Sequence, residues 1–357
     1  MRGKPIVLSV KNLEIQFKVR GSLLKAIRRV SLDLYQGETL AIVGESGSGK
    51  SVLIKSFTGM LESNGEITSG KILFEGKDIS QFKKNHEWEQ IRGAKIATFF
   101  QDPMTSLNPV RTIGAQISEV IVKHQKLSQI QAKSKAIELM ERVGIQEAIK
   151  RFDDYPHQYS GGMRQRIVIA IALACRPKIL ICDEPTTALD VTIQAQILQL
   201  IKELQLEYGF TTIYITHDLG VVANVADRVV VMYSGQIVEY GEVEEIFYHP
   251  AHPYTWALLS SLPQLGTKGE ELFSINGTPP SLYHEIIGDA FAPRNQYALK
   301  IDFEEEPPFF QITPTHFAKT WLCDERAPKV EKPKVLHHLH ETLVNIYGEK
   351  GLRGKVK

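Results

Sequence analysis

Residues Gly44 to Ser51 have the types and the spacing of a phosphate-binding loop, Gly-x-x-x-x-Gly-Lys-Ser. An apolar run at 40–43 precedes the loop and another at 52–54 follows it, which predicts a strand, a tight turn and a helix. Glycines let successive N–H groups point at one anion where the helix begins. Lys50 would contact the β- and γ-phosphates of a nucleotide, and the Ser51 hydroxyl would bind Mg²⁺. The predicted nucleotide-binding residues of this loop are Gly44, Glu45, Ser46, Gly47, Ser48, Gly49, Lys50 and Ser51.

A pair of acids follows an apolar run later in the chain. Asp183 and Glu184 come directly after Ile179–Cys182, which predicts two carboxylates at the end of a buried strand. Burying unpaired charge is costly, and a Mg²⁺ partner for Asp183 and a water partner for Glu184 would remove that cost. A plain acidic turn is the alternative for the pair alone. Beside the phosphate loop, the pair predicts an enzyme that hydrolyses ATP with Mg²⁺.

The overall composition is that of an ordinary globular protein, and the length allows one large and one smaller domain or two medium domains. The 357 residues are 43% hydrophobic and 23% charged with a net charge of +1, which does not indicate a nucleic-acid-coating surface. The three cysteines, at positions 175, 182 and 323, are too scattered for a disulfide framework or a zinc site and fit a reducing cytosol. The longest apolar run, 167–175, is shorter than the roughly 20 residues that cross a bilayer. We therefore expect any role at a membrane to be peripheral.

The patterns of apolar residues predict an α/β core. Strands are predicted at residues 6–10, 13–19, 30–34, 71–74, 96–100, 179–182 and 212–216. Helical spacing covers residues 112–175, with Gly144 as a candidate helix stop, and a further helix is predicted at 191–206. The last two strands are apolar on both faces, which is typical of central strands in a mostly parallel sheet covered by helices. The predicted fold class is α/β with a helical insertion.

A change of composition near residue 248 predicts a second domain. Eleven of the seventeen prolines lie from Pro250 onward, and regular periodicity weakens there. We predict a nucleotide-binding domain over residues 1–247, with its helical insertion at about 104–175, and a proline-rich C-terminal extension over residues 248–328. The basic tail at 329–357 is predicted to be a solvated helix or partly disordered.

The triplet Ser160-Gly161-Gly162 narrows the class of ATPase. Before an apolar helix it would form a second small anion-binding helix terminus, although alone such a triplet is more often only a helix-starting turn. Placed about twenty residues before Asp183, the run Ser-Gly-Gly-Met-Arg-Gln-Arg resembles the signature of ATP-binding-cassette (ABC) ATPases. That signature usually ends in Gln, where this chain has Met163. We expect function to survive, because the serine and the glycines would contact the phosphate.

The resemblance implies roles for residues elsewhere in the chain, and it implies an antiparallel β-subdomain at the N-terminus of a P-loop ABC fold. Gln101 resembles the Q-loop glutamine, which would contact the metal or the attacking water and report to a membrane partner. Asp190 ends the D-loop run Ala-Leu-Asp, and His217 resembles the switch histidine at the γ-phosphate. Phe17 resembles the aromatic that stacks on adenine, and a strand core residue is its equally weighted alternative.

The resemblance also implies that two cassettes act as a pair. They lie head to tail, and the Ser160–Gly162 loop of one closes on the γ-phosphate held by Lys50 of the other. Glu184 is then the general base for in-line attack by water, with His217 and Gln101 as the other catalytic residues. The implied Mg²⁺ ligands are Ser51, Gln101 and Asp183.

Stretches at residues 101–109, 249–255 and 277–282 resemble the ATPases of oligopeptide and dipeptide importers, and the likeness covers nearly the whole chain. It implies an ATPase that powers oligopeptide import as a peripheral protein on the cytoplasmic face of the cell membrane. The implied partners are a second homologous ATPase subunit, two transmembrane permeases and an extracellular peptide-binding lipoprotein, without nucleic acid. The coupling helices of the permeases would dock near Gln101 and the helical insertion.

Many members of this family carry four cysteines in the extension that bind an iron–sulfur cluster. The corresponding positions here hold Asp289, Asn295, Asp302 and Thr320, and Cys323 alone cannot supply the usual four thiolates. We therefore expect no cluster.

A soluble ABC ATPase that acts on nucleic acid or ribosomes is the alternative function. Members that act in translation usually carry two cassettes in one chain, and those that maintain chromosomes split theirs with long coiled coils. This chain has one cassette and no sustained heptad pattern, which favours transport. A non-hydrolysing regulatory cassette is disfavoured because Glu184 and His217 are both present.

Overall fold

The computed structural model describes residues 3–99, 106–185, 190–261, 275–334 and 336. These residues form two sheets with helices packed against them. The strands are β1 (Ile6–Val19), β2 (Ser22–Tyr35), β3 (Thr39–Val43), β4 (Gly65–Phe74), β5 (Lys77–Asp78), β6 (Ile96–Phe99), β7 (Ile179–Asp183), β8 (Thr211–Ile215), β9 (Arg228–Tyr233), β10 (Gln236–Glu242), β11 (Phe310–Gln311) and β12 (Phe317–Ala318). The α-helices are α1 (Lys50–Phe57), α2 (Asn85–Glu89), α3 (Ile113–Gln125), α4 (Gln129–Arg142), α5 (Ala148–Arg151), α6 (Gly161–Leu173), α7 (Val191–Tyr208), α8 (Leu219–Val225), α9 (Val243–Tyr248) and α10 (Pro253–Ser260).

The N-terminal sheet is antiparallel, with strand order β2-β1-β4-β5. Leu13, Ile15 and Phe17 alternate with more exposed residues, so that one face of β1 is buried. We predicted separate strands at 6–10 and 13–19, but β1 runs through both. The register shifts between Val10 and Leu13, where Asn12 has a φ of 46°. Lys11 and Asn12, which separate the two predicted strands, therefore lie at a bulge within one long strand.

The core sheet has the order β11-β12-β10-β9-β3-β8-β7-β6. Its five strands from β9 to β6 are parallel, and β10 joins them antiparallel to β9. Every residue of β3 and β8 is buried, as expected for strands covered on both faces. The predicted α/β fold with a mostly parallel core sheet is confirmed. The carboxyl ends of parallel strands lie along one edge, which gathers the loops after β3, β7 and β8.

Helices α3 to α6 form the layer that the sequence predicted as a helical insertion. Thr112, Ser128 and Ser160 cap three of them, each hydroxyl accepting a backbone N–H of the first turn. Helix α4 ends just before Gly144, the predicted stop, whose φ is 82°. In the described ranges no helix has the length and apolar character needed to cross a bilayer.

The C-terminal extension adds to the edge of the core sheet. β12 pairs with β10 through Glu239↔Ala318 and Tyr240↔Phe317, and β11 pairs with β12. Buried Glu239 accepts hydrogen bonds from the N–H groups of Ala251 and His252, and its Oε1 lies 2.7 Å from Nε2 of buried His316. These contacts join strand β10, which precedes residue 248, to residues that follow it. The domain boundary at residue 248 stays a prediction.

Candidate active site

The phosphate loop connects the end of β3 to α1, which begins at Lys50. Gly44 has a φ of 150°, and a Cβ at this position would lie 2.2 Å from the carbonyl oxygen of Met232. Gly49 has a φ of 101° and precedes the helix as its N-cap. Larger residues would be excluded by contact at the first position and by backbone strain at the second. The predicted strand, loop and helix are therefore present, with glycine where the chain needs it.

The Lys50 side chain lies inside this loop. Its Nζ donates to the carbonyl oxygens of Gly44 (2.7 Å) and Glu45 (2.8 Å), and it lies 3.3 Å from Ser48 Oγ. Burial lowers the pKa of Lys50, and the nearby carboxylates, Glu184 first, oppose that shift. The buried ammonium thus lies near Glu184, the predicted base, and Asp183, the predicted Mg²⁺ ligand.

Asp183 is the last residue of β7, and Glu184 follows with a φ of 48°. The N–H of Glu184 donates to Ile215 O (2.8 Å), which fixes the end of β7 against β8. Burial raises the pKa of Asp183 and Glu184 raises it further, while Lys50 lowers it. A carboxylate in this environment, with the Ser51 hydroxyl on the same loop as Lys50, fits a Mg²⁺ ion that keeps several waters and phosphate ligands.

His217 follows β8, with its Nδ1 3.1 Å from Glu184 Oε1. The next residue, Asp218, caps helix α8 by accepting the N–H groups of Gly220 and Val221. A cavity of about 410 Å³ brings Glu184 and His217 together with most of the phosphate loop, but Asp183 is not among its lining residues. Its lining consists of Leu24, Ala26, Gly44, Ser46, Gly47, Gly49, Lys50, Ser51, Val52, Glu184, Ile215, His217 and Leu282.

The Ser160–Gly162 loop is not part of this lining. It forms the N-terminus of α6, where exposed Ser160 caps the helix by accepting the N–H of Met163 (3.4 Å). Asp190 likewise caps α7, accepting the N–H of Ile193 (2.9 Å). The structure therefore keeps the signature loop apart from the phosphate loop of the same chain.

Phe17 also lies outside the cavity lining. Its side chain is 7% exposed and belongs to the core of the N-terminal sheet. The ring covers Gly65, where a Cβ would come within 2.5 Å of it. This is the arrangement of a strand core residue, and the adenine contact stays a prediction. Gln101 and the D-loop residues at 188 and 189 lie outside the described residues.

Three residues that the sequence did not assign to the site contact it. Leu282 lines the cavity, and its only signal was its place in the importer-like stretch at 277–282. Gln165 is 1% exposed and its Nε2 donates to Pro185 O (2.6 Å), tying the signature helix to the residue after Glu184. Arg294 forms an ion pair with Glu45 of the phosphate loop, and no local pattern marks it.

Comparison with known proteins agrees with this geometry. Residues 27–187 match the ABC transporter family, and residues 238–301 match the C-terminal region of oligopeptide/dipeptide transporters. The oligopeptide transport ATP-binding protein AmiE of Streptococcus pneumoniae is 64% identical over 342 residues, 96% of each chain. This chain belongs to the family of oligopeptide transport ATP-binding proteins. Another relative of this ABC ATPase is the dipeptide transport ATP-binding protein DppD of Lactococcus lactis, which is 59% identical over 91% of this chain and 93% of its own.

The solved structures that resemble this ABC ATPase include two that cover about two thirds of its chain. A dimeric ATP-binding cassette in a post-hydrolysis state, bound to ADP and Pi, is 28% identical with a TM-score of 0.59. It covers 66% of this chain and 98% of its own. CbiO1 of Clostridium perfringens, part of an ABC transporter complex, is 31% identical with a TM-score of 0.59, over 68% of this chain and 91% of its own. The predicted ABC ATPase fold and ATPase activity are confirmed.

The four positions that the family resemblance matched to cluster cysteines hold buried side chains with oxygen or amide groups. Asp289, Asn295, Asp302 and Thr320 are all less than 10% exposed. Within the described part of the chain, Asp289 Oδ2, Asn295 Nδ2 and Asp302 Oδ1 have no hydrogen-bond partner. Burial raises the pKa of Asp289 to about 6, and the negative charge of Asp302 contributes to the increase. Burial also raises the pKa of the neighbouring Cys323 thiol to about 11, and this set does not fit a thiolate-bound iron–sulfur cluster.

Proposed function

We propose that this ABC ATPase powers the import of oligopeptides across the cell membrane. The site geometry supports the hydrolytic part: Lys50, Glu184 and His217 line one cavity, and the last two are in contact. The substrate class rests on sequence. The 64% identity to an oligopeptide transport ATP-binding protein extends over 96% of both chains, and so includes the extension as well as the cassette.

In the proposed reaction the loop amides and Lys50 hold the β- and γ-phosphates of ATP. Glu184 accepts a proton from water as the water oxygen attacks the γ-phosphorus and the bond to the bridging oxygen breaks. His217, 3.1 Å from Glu184, orients that carboxylate and the γ-phosphate. Mg²⁺, held by Ser51, Asp183 and Gln101, would neutralise charge on the phosphate oxygens.

The second half of the site is proposed to come from another chain. The Ser160–Gly162 loop is exposed and lies outside the cavity, so a homologous ATPase subunit paired head to tail would present its own signature loop to Lys50. Asp190, at the exposed start of α7, would lie at the same interface. Phe17 would contribute to the adenine end of the site.

We further propose two transmembrane permeases and an extracellular peptide-binding lipoprotein as partners, with this chain peripheral on the cytoplasmic face. The coupling helices of the permeases would dock near Gln101 and helices α3 to α6. We also propose that the extension carries no iron–sulfur cluster, because its donor set offers one cysteine. An iron-dependent visible absorption band in the purified protein would contradict this last point.

Complementation tests the function directly. Cells that lack this chain would receive either the wild type or Glu184→Gln, and uptake of a labelled pentapeptide would be measured beside a labelled free amino acid. We expect the wild type alone to restore pentapeptide uptake, with amino-acid uptake equal in both. Unrestored uptake, together with co-purification of ribosomes or nucleic acid in place of permeases, would contradict the proposal.

A further inference from the structure

The C-terminal extension contacts the phosphate loop of the cassette through a partly buried ion pair. We propose that Arg294 of the extension is a positioning residue that holds the phosphate loop in its nucleotide-binding conformation. The inference rests on the proposed binding of ATP at that loop. The contact would make the extension part of the nucleotide site, although Glu45 lies 249 residues before Arg294 in the chain.

The contact between Arg294 and Glu45 is bidentate. Nη1 of Arg294 lies 2.7 Å from Glu45 Oε2, and Nη2 lies 3.1 Å from Oε1. The Arg294 side chain is only 5% exposed. Burial alone would lower its pKa, but hydrogen bonds to Glu45 and Tyr233 raise the pKa above the ordinary value, so the group stays charged. Planar pairs of this kind fix geometry more strongly than a single charge–charge contact.

The remaining donors of Arg294 are held within the extension and by the core. Nε donates to the carbonyl oxygen of Asn276 (2.9 Å), and Nη2 lies 3.3 Å from that of Ile275. Nη1 lies 3.2 Å from the hydroxyl oxygen of Tyr233, the last residue of β9. These contacts hold the guanidinium in position independently of its ion pair with Glu45.

The backbone of Glu45 is held from the same side. Its N–H donates to the hydroxyl oxygen of Tyr254 in α10 (2.7 Å). Tyr254 packs against Tyr233 and Phe291, with ring centroids 4.6 Å and 5.3 Å away. The carbonyl oxygen of Glu45 in turn accepts a hydrogen bond from Lys50 Nζ (2.8 Å). A chain of direct contacts thus runs from Arg294 through Glu45 to the lysine that would meet the phosphates.

A second part of the extension forms one wall of the cavity. The carbonyl oxygen of Leu282 accepts the N–H of Lys25 (3.0 Å), which places Leu282 beside Leu24 and Ala26 in the cavity lining. The segment that carries Arg294 therefore contacts the nucleotide site at two separate places. Loss of the ion pair would free the loop and leave one buried charge without its partner.

The test measures MgATP binding by the purified full-length chain with isothermal titration calorimetry. We expect Arg294→Met to weaken ATP binding about tenfold to a hundredfold, the range for misplacing groups that must be positioned. Arg294→Lys should recover only part of the loss, because a lysine cannot form the bidentate contact. The matched control is Arg326→Met, in the same extension, whose exposed guanidinium pairs with Asp324 at 2.8 Å.

A double-mutant cycle separates positioning from general stability. Glu45→Gln keeps the size of the side chain and tests the same contact should Arg294→Met fail to fold. If the two residues act together, adding Arg294→Met to Glu45→Gln should weaken binding by less than twofold further. Equal dissociation constants for the wild type and Arg294→Met, or fully additive losses, would overturn the inference while ATP binding by the wild type upheld the proposed function. Absence of ATP binding in the wild type would overturn both.

Discussion

The phosphate loop and the signature loop are both glycine-rich helix starts, yet the chain treats them differently. The phosphate loop is held internally by Lys50 and externally by Arg294 through Glu45. At the signature loop, Ser160 makes a single capping bond of 3.4 Å, and a Cβ on Gly161 would meet no atom within 4 Å. The phosphate loop is held by contacts within its own chain, whereas Ser160 and Gly161 of the signature loop are exposed.

This difference explains why one chain would supply two unlike halves of a nucleotide site. A loop that must meet phosphate in its own chain benefits from being preorganised, because ordering it at binding would cost affinity. A loop that must close on another chain's nucleotide has to remain accessible. Gln165 connects the signature helix to the strand end that carries Glu184, because its side chain donates a hydrogen bond to the carbonyl oxygen of Pro185.

The largest predicted effect is the loss of ATPase activity when the proposed base, Glu184, is removed. In the assembled transporter we expect Glu184→Gln to bind ATP and to lose about 10²–10⁴-fold in steady-state ATPase rate. The amide cannot accept the proton of the attacking water, while the phosphate loop is unchanged. Glu304→Gln, on the exposed surface of the extension, is the matched control and should keep the wild-type rate. A near wild-type rate for Glu184→Gln would remove Glu184 from the role of base.

A charge placed on the signature loop should separate binding from hydrolysis. Gly161→Asp puts a carboxylate at the first residue of α6, where it favours the helix and meets open space. We expect ATP affinity of the single chain to stay unchanged and the ATPase rate of the assembled complex to fall by about tenfold to a hundredfold. The reason is repulsion of the partner's γ-phosphate.

Gly161→Ala is the control for this change, because its Cβ also meets open space without adding charge. It should lose less activity than the aspartate variant, because it adds a methyl group but no charge. Equal ATPase rates for the aspartate and alanine variants would show that the loop does not close on phosphate. The exposed position of the signature loop would then have no role in hydrolysis.

Sequence predicted those parts of the molecule whose signal is local. The strand, glycine loop and lysine of residues 40–50 follow one another directly, and the Asp183–Glu184 pair ends its own apolar strand, so both were found. Arg294 could not be found this way, because its partner lies 249 residues away and salt bridges leave no periodic trace. Phe17 shows a different limit of local signals, because an aromatic residue in a strand pattern fits a core position and a ligand contact equally well.

Strands β9 and β10 were absent from the predicted set for a different reason. Residues 228–233 and 236–242 form an antiparallel pair joined by a tight turn at Ser234 and Gly235, both with positive φ. Their place beside β3 is set by contacts that no periodicity reveals, and they create the edge on which the extension adds β12. The long-range part of the active site, including Arg294, depends on this unpredicted edge.

A third prediction concerns the link between the signature helix and Pro185, the residue that follows Glu184. Gln165→Met keeps the volume of the side chain but leaves the carbonyl oxygen of Pro185 without its buried donor. We expect the free energy of unfolding from urea titration to fall by about 1–2 kcal/mol. Gln199→Met, on the exposed face of α7, should change it by less than about 0.5 kcal/mol. Equal stabilities of the two variants would mean that the signature helix and the Glu184 strand end are not joined through Gln165.

The smallest effect is expected from a buried acid in the extension that supports the held loop. Asp289 Oδ1 accepts the N–H of Phe291, whose ring packs on Tyr233 and Tyr254 beneath Glu45. The folded-state pKa of Asp289 is raised to about 6, above its value of 3.8 in an unfolded chain. Between these values the folded chain binds more protons than the unfolded one, so the contribution of Asp289 to stability falls as pH rises and levels off above about pH 6.

Asp289→Asn keeps the acceptor for the Phe291 N–H and removes the titration. The gain in unfolding free energy of this variant over the wild type should therefore be larger at pH 8 than at pH 5, by on the order of 1 kcal/mol. Asp324→Asn is the control, because its pKa is lowered to about 2 and an ionised group in both states adds no pH dependence in this range. If urea titrations gave Asp289→Asn the same advantage at both values of pH, the acid would be ionised in the folded extension throughout. Asp289 would then support the phosphate loop as a charged group, and the raised pKa that we assign to it would be wrong.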